Sequence, residues 1–202
     1  DVTISWCLIG EALNRSVHKK GSHGYGTLAR ASGGVSFHHN LWIHNAARNP
    51  RLGDNYGKGP FPTFDIRNNV MYDYGGACTG NTQGRMKVNY VGNYVRPGPS
   101  SRARKPISVG GPSDMEFFLR GNVWDGHAAE TADNAAWFDR TEGEGIRVRG
   151  VERPFDTPPV RTEGAAEALE AVLAGVGATA PVRDAVDRRL VEHVRSRGGR
   201  II

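Results

Sequence analysis

The chain holds only two cysteines in 202 residues, Cys7 and Cys78. Two thiols at no metal-ligand spacing exclude a cysteine-based zinc centre and a disulfide-dense scaffold. They read as two buried free thiols. No run of about 20 consecutive apolar residues occurs, so no segment reads as a membrane-spanning helix. Five of the seven histidines fall between residues 18 and 44, but His38, His39 and His44 lack a zinc-ligand spacing. Strand alternation would send His38 and His39 to opposite faces. Acidic residues are the minority charge, 21 against 26 Lys and Arg, for a net +5. A basic surface favours polyanions, meaning nucleic acid, acidic polysaccharide or anionic membrane. Neither a recognition helix nor a stacking-platform motif is present, so nucleic acid is not expected as a partner. Arg102, Arg104 and Lys105 read as a solvated loop.

What the sequence does contain is short β-rich runs and turns. The runs are Val2 to Ile9, Val35 to Ile43, Thr63 to Tyr72, Met86 to Val95 and Met115 to Trp124. Four of them share a β-run, then Asn, then an apolar residue. Those asparagines are Asn40, Asn69, Asn93 and Asn122, spaced by 29, 24 and 29 residues, and Cys7 holds the matching place 33 residues before Asn40. A repeat of about 20–50 residues is the signature of a solenoid. The expected fold is all-β, a right-handed parallel β-helix over residues 1–160, with an Asn that tolerates left-handed backbone at one turn of successive coils.

Residues 161–202 differ in composition. Thr162 to Ala174 and Pro181 to Ser196 read as helices, with one apolar stripe at Leu169, Val172 and Leu173 and another at Val182, Val186, Leu190 and Val194. Pro181 suits a first helical position and Gly198 a stop. Asp184, Asp187, Arg188 and Arg189 read as a solvated polar side. Asp1 opens directly on a strand pattern without a start Met, and Ile201-Ile202 ends the chain on apolar residues. The expectation is a piece of a longer chain, with N-terminal coils missing.

Arg48-Asn49-Pro50-Arg51 follows the second run. Pro50 fixes its own φ and pushes Asn49 out of the helical region, so both guanidiniums should project from turn or extended backbone. Planar, always-charged forks presented this way suit carboxylate recognition.

The stretch from Val35 to Arg51 resembles the pectate lyase family of polysaccharide lyases, in which an Arg-x-Pro-Arg segment follows a β-helix coil. The resemblance is strongest from Val2 to Gly53. It continues through Asn68-Asn69-Val70 and Asn93-Tyr94, and returns in the tail at Val176-Gly177-Ala178 and Arg183 to Arg189. It implies a C-terminal portion of such an enzyme, with a tail that packs on the β-helix, acting on de-esterified polygalacturonate by β-elimination. By the same resemblance Arg48 is the catalytic base at C5 of the uronate. Lys20, or Lys19 in the competing register, holds the substrate carboxylate. Arg51 is the second arginine, and the place of a further substrate-binding arginine falls on Gly53. His23 is expected to line the groove beside Lys20, Tyr25 and Tyr56 to be available for stacking on sugar rings, and Trp42 to pack in the core.

The resemblance also implies Ca²⁺ as cofactor, with most of its ligands upstream of Asp1; Glu11, Asp54 and Asp65 are conceivable ligands within the chain. Ca²⁺ and fixed cations would stabilise the enolate-like charge that develops at the substrate carboxylate. A guanidinium is a poor base, with a pKa above about 12. The base role therefore rests on the resemblance, and the fit to a carboxylate on the chemistry. The expected setting is secreted or periplasmic, with an acidic polysaccharide as partner and a monomer when full length. The rival reading is a non-catalytic β-helix that binds acidic polysaccharide.

Overall fold

A computed structural model describes all residues except 103–104 and 128–133; Arg104 lies outside the described residues. Each β-run breaks at one residue with left-handed backbone, so each becomes two strands that join two different sheets. The breaking residues are Trp6, His39, Asn68, Gly92 and Gly121, with φ of 57°, 54°, 51°, 61° and 65°. The first sheet stacks β1 (Val2–Ser5), β4 (Val35–His38), β7 (Thr63–Arg67), β10 (Gly84–Val91), β13 (Ser113–Arg120) and β16 (Ile146–Gly150) in parallel, and β15 (Glu142–Gly143) closes it antiparallel. The second stacks β2 (Leu8–Gly10), β5 (Leu41–Ile43), β8 (Val70–Tyr72), β11 (Tyr94–Arg96) and β14 (Val123–Trp124). The third stacks β3 (Leu28–Ala31), β6 (Arg51–Asp54), β9 (Thr79–Asn81) and β12 (Ile107–Ser108). The result is a β-solenoid of about five turns with two helices.

The repeat asparagines follow directly after the left-handed residues and form a continuous ladder. Asn40 Nδ2 donates to Asn69 Oδ1 (3.0 Å), Asn69 Nδ2 to Asn93 Oδ1 (3.1 Å) and Asn93 Nδ2 to Asn122 Oδ1 (3.0 Å). Each Oδ1 also accepts the backbone N–H of the preceding rung, and Cys7 N–H donates in the same way to Asn40 Oδ1. Each second amide hydrogen goes to a carbonyl one coil back, at Ile4, Phe37, Ile66 or Tyr90. The buried ladder amides thereby bond both up and down the stack, as burial requires.

Three readings of the sequence change here. The left-handed residue precedes the ladder Asn instead of being that Asn. His39 leaves the strand at its left-handed turn, so His38 and His39 are not on opposite faces; their Nδ1 atoms are 3.0 Å apart. Both thiols are free, but only Cys78 is buried, and Cys7 is exposed.

The interior is filled by Phe37, Trp42, Phe64, Ile66, Val88, Tyr90 and Phe117, all essentially without exposure. A second cluster joins Leu41, Ile43, Val70 and Tyr72 on the outside of the second sheet to α1 (Ala165–Gly175) and α2 (Ala185–Ser196). In α1 the stripe Leu169, Val172 and Leu173 is buried as its spacing predicts. In α2 the buried face is Leu190, Val191 and Val194, whereas Val182 and Val186 are exposed. The helix starts at Ala185 with Asp184 as N-cap, its carboxylate accepting from Asp187 N–H, so Val182 and Pro181 precede it. The C-cap is Arg197, in the left-handed region at φ 57°.

The strap leading to α1 is held by side-chain amides. Asn68 exchanges two hydrogen bonds with the Glu163 backbone, and Asn89 does the same with Phe155.

Candidate active site

Arg48 and Arg51 sit where the chain turns from the second sheet into the third. This turn is pinned on both sides. Ala46 N–H donates to Gly24 O, Thr27 N–H to Arg48 O, Arg51 N–H to Thr27 O, and Asn49 N–H to Cys78 O. Within the turn Asn45 Nδ2 donates to Asn49 Oδ1 and to Ile9 O. Arg48 itself has φ 68°, and Arg51 opens β6. A local conformation that strongly constrained presents both side chains from rigid backbone.

Both guanidiniums are half-buried, and the Nε of each is buried without a hydrogen-bond partner. Among the described residues neither has a carboxylate partner. Elsewhere in the chain Arg67 pairs with Asp65, Arg96 with Asp125 and Arg189 with Glu11. Burial, and then the charge of Arg48, push the Arg51 pKa below its ordinary value. Two unneutralised cations therefore share one groove of about 300 Å³, whose floor is Thr79, Gly80, Asn81, Ser108 and Gly110. Such a site favours an arriving anion.

Tyr25 lies under Arg48, its ring 4.2 Å from the guanidinium carbon, in a cation–π contact. His23 touches Tyr25 edge to face at 5.7 Å and His18 at 4.5 Å. Lys20 is exposed on the same loop and is not among the residues lining the groove. The structure thus brings Arg48, Arg51 and Tyr25 together and places His23 and Lys20 on the adjoining loop. Trp42 is buried, and its Nε1 donates to Thr27 Oγ1 (3.0 Å), anchoring the segment that carries Tyr25. Tyr56 is exposed and stacks on Arg30.

Sequence reasoning missed Arg30 and Arg140. Arg30 is paired in register with Gly53, and a Cβ at Gly53 would meet the Arg30 side chain at 3.2 Å. A guanidinium from the neighbouring coil therefore covers the position where the family pattern has an arginine. Arg140 lines the same groove as Arg48 and Arg51. The signal for Arg30 is cross-strand register, which one sequence does not display.

The residues considered for calcium do not fit it. Glu11 is bidentate to Arg189, Asp65 is bidentate to Arg67, and Asp54 accepts from Gly57 and Arg85 N–H groups. Among the described residues no three His, Cys, Asp or Glu side chains are grouped to hold a metal, whereas Ca²⁺ takes about 6–8 oxygens.

No family model matches the chain. It is 30% identical over 203 residues to the probable pectate lyase C of Aspergillus flavus, covering 98% of this chain and 44% of that protein. The corresponding figures are 31% over 205 residues for the probable pectate lyase C of Aspergillus terreus, covering 98% and 44%. For that of Emericella nidulans they are 28% over 200 residues, covering 98% and 42%. The chain spans less than half the length of these curated relatives.

Proposed function

We propose that this chain, whose likeness in sequence and in solenoid fold is to the pectate lyase family, supplies the substrate-contacting arginines of a lyase that cleaves de-esterified polygalacturonate by β-elimination. The observation that carries the reading is the pair of half-buried guanidiniums, Arg48 and Arg51, sharing a groove with the Nε of each unpartnered and with no carboxylate partner among the described residues. A uronate carboxylate laid against Arg51 supplies the missing charge through a planar, bidentate fit. Arg48, fixed by its left-handed backbone and by the Tyr25 ring, stands beside it and, having first released its own proton to solvent, takes the C5 proton as a neutral guanidine. The electron pair left at C5 forms the C4–C5 double bond as the C4–O bond breaks, and the leaving oxygen takes a proton from solvent. Arg51 offsets the negative charge that builds on the carboxylate during this transfer. Lys20 and His23, on the loop that borders Tyr25, contact the chain beyond the reacting sugar.

Calcium belongs to this reading as a cofactor that neutralises substrate carboxylates. The described residues do not assemble its site. A secreted or periplasmic setting and a role in pectin breakdown follow from the substrate.

A second reading, a non-catalytic binder of acidic polysaccharide, is favoured by one observation: Glu11, Asp54 and Asp65 are each committed to other partners. The two readings separate in one experiment. Polygalacturonate with Ca²⁺ is incubated with the full-length protein, and the unsaturated product is followed by its ultraviolet absorbance. Product formation supports the lyase. Retention on immobilised polygalacturonate without product supports the binder, and absence of both removes the polyuronate reading.

A further inference from the structure

The third sheet continues beyond β12. Phe138 pairs in parallel with Ile107, and Asp139 N–H donates to Ile107 O (2.9 Å). Residues 138–140 therefore make one more rung. Along this sheet Arg51 is in register with Gly80, and Gly80 with Ser108. Asp139 stands at the next step, with its carboxylate turned onto Ser108 Oγ (2.8 Å) and the Val109 N–H (2.9 Å). Arg140 follows it, exposed, lining the Arg48–Arg51 groove, with no carboxylate partner among the described residues.

The groove thus has a cationic pole at each end and a floor without long side chains between them. Gly80 and Ser108 set that floor, and the space above Gly80 is tight, since a Cβ there would meet Ser108 O at 3.1 Å. Three rungs at about 4.7–4.9 Å each separate the poles by roughly 14 Å along the axis. An extended polymer with a carboxylate on each unit can meet both poles at once, and a short fragment cannot.

We infer that Arg140 is a distal carboxylate-binding residue of this groove, which makes it select extended polyuronate chains over short ones. The inference rests on the polyuronate reading above.

The test compares Arg140→Gln and Arg140→Lys with the parent in the full chain, by calorimetric binding of galacturonate dimer and hexamer at two salt concentrations. Because Arg140 is exposed, folding is checked by an unchanged melting midpoint. Arg140→Gln is expected to bind the hexamer roughly three- to five-fold more weakly, the factor that corresponds to one exposed ion pair. The dimer should shift less than the hexamer, and Arg140→Lys should recover part of the loss at low salt. An unchanged hexamer affinity, or an equal loss for dimer and hexamer, overturns the assignment. If the parent binds neither ligand, the polyuronate reading falls and this assignment falls with it. If the parent binds but Arg140→Gln is silent, only Arg140 is removed.

Discussion

Replacing Asn69 with Leu keeps the side-chain volume near constant and removes the centre of the ladder. Asn69 is fully buried. Its Oδ1 accepts from Asn40 N–H and Asn40 Nδ2, both at 3.0 Å, and its Nδ2 donates to Phe37 O (2.9 Å) and to Asn93 Oδ1 (3.1 Å). Leucine leaves the Asn40 N–H, one Asn40 amide hydrogen and the Phe37 carbonyl without these partners, while Asn93 Oδ1 keeps the Asn69 N–H. An orphaned buried group costs about 1–3 kcal/mol, and the groups here share one turn and relax together. The expected loss is therefore about 3 kcal/mol, near the upper end for a single substitution. For a chain of this length that lowers the melting midpoint by roughly 6–12 °C. Thermal and urea melts of parent and variant measure it. A midpoint within about 2 °C of the parent would show that the ladder adds little to stability and would refute the accounting of its bonds.

Two further outcomes follow from the same contacts. Cys7 occupies the first rung and already donates its N–H to Asn40 Oδ1 (3.0 Å), so Cys7→Asn adds a side-chain donor and should stabilise by about 0.5–1.5 kcal/mol; a lower melting midpoint would contradict the proposed register. Stability should also fall as pH drops below about 6.5, the ordinary histidine value. His44 Nδ1 lies 2.7 Å from Asp73 Oδ2 and its Nε2 3.0 Å from His193 Nδ1. Burial, the charge of His44 and the charge of Arg189 lower the His193 pKa against the smaller opposing pull of Glu11 and Asp73, and burial likewise lowers that of His38. A folded-state pKa below the unfolded one means the unfolded chain binds more protons, so stability is full above that value and lost below it. Glu11, held low by Arg189, adds its own loss only below about pH 4.5. Melts at pH 7.5 and 5 in the parent and in His193→Gln test this: the parent should melt lower at pH 5 and the variant should lose part of that difference, whereas a pH-independent parent would refute it.

The solenoid was legible because its ladder is one residue type at a fixed place in each coil. Asn40, Asn69, Asn93 and Asn122 bond one to the next and to the backbone of the adjoining coils, so the spacing carries the fold. The left-handed position was partly visible, since Gly92 and Gly121 precede two of these asparagines, but His39 and Trp6 take the same backbone without a sequence cue. In α2, i, i+4 spacing admitted Val182 and Val186; the Asp184 cap marks where the helix begins, whereas burial starts only at Leu190. At the candidate site, Arg48 and Arg51 could be read through the Arg-x-Pro-Arg resemblance, and the proline between them says only that the local backbone is not helical. Tyr25, Arg30 and Arg140 come from other coils, and only cross-strand register places them beside that pair.

The most direct test of the central claim is the rate of polygalacturonate cleavage by Arg48→Lys in the full-length protein with Ca²⁺. Lysine keeps the positive charge and loses the planar fork and its directed N–H groups. The account predicts that nearly all turnover disappears while the melting midpoint stays with the parent. Turnover within a few-fold of the parent would contradict it and remove Arg48 from catalysis.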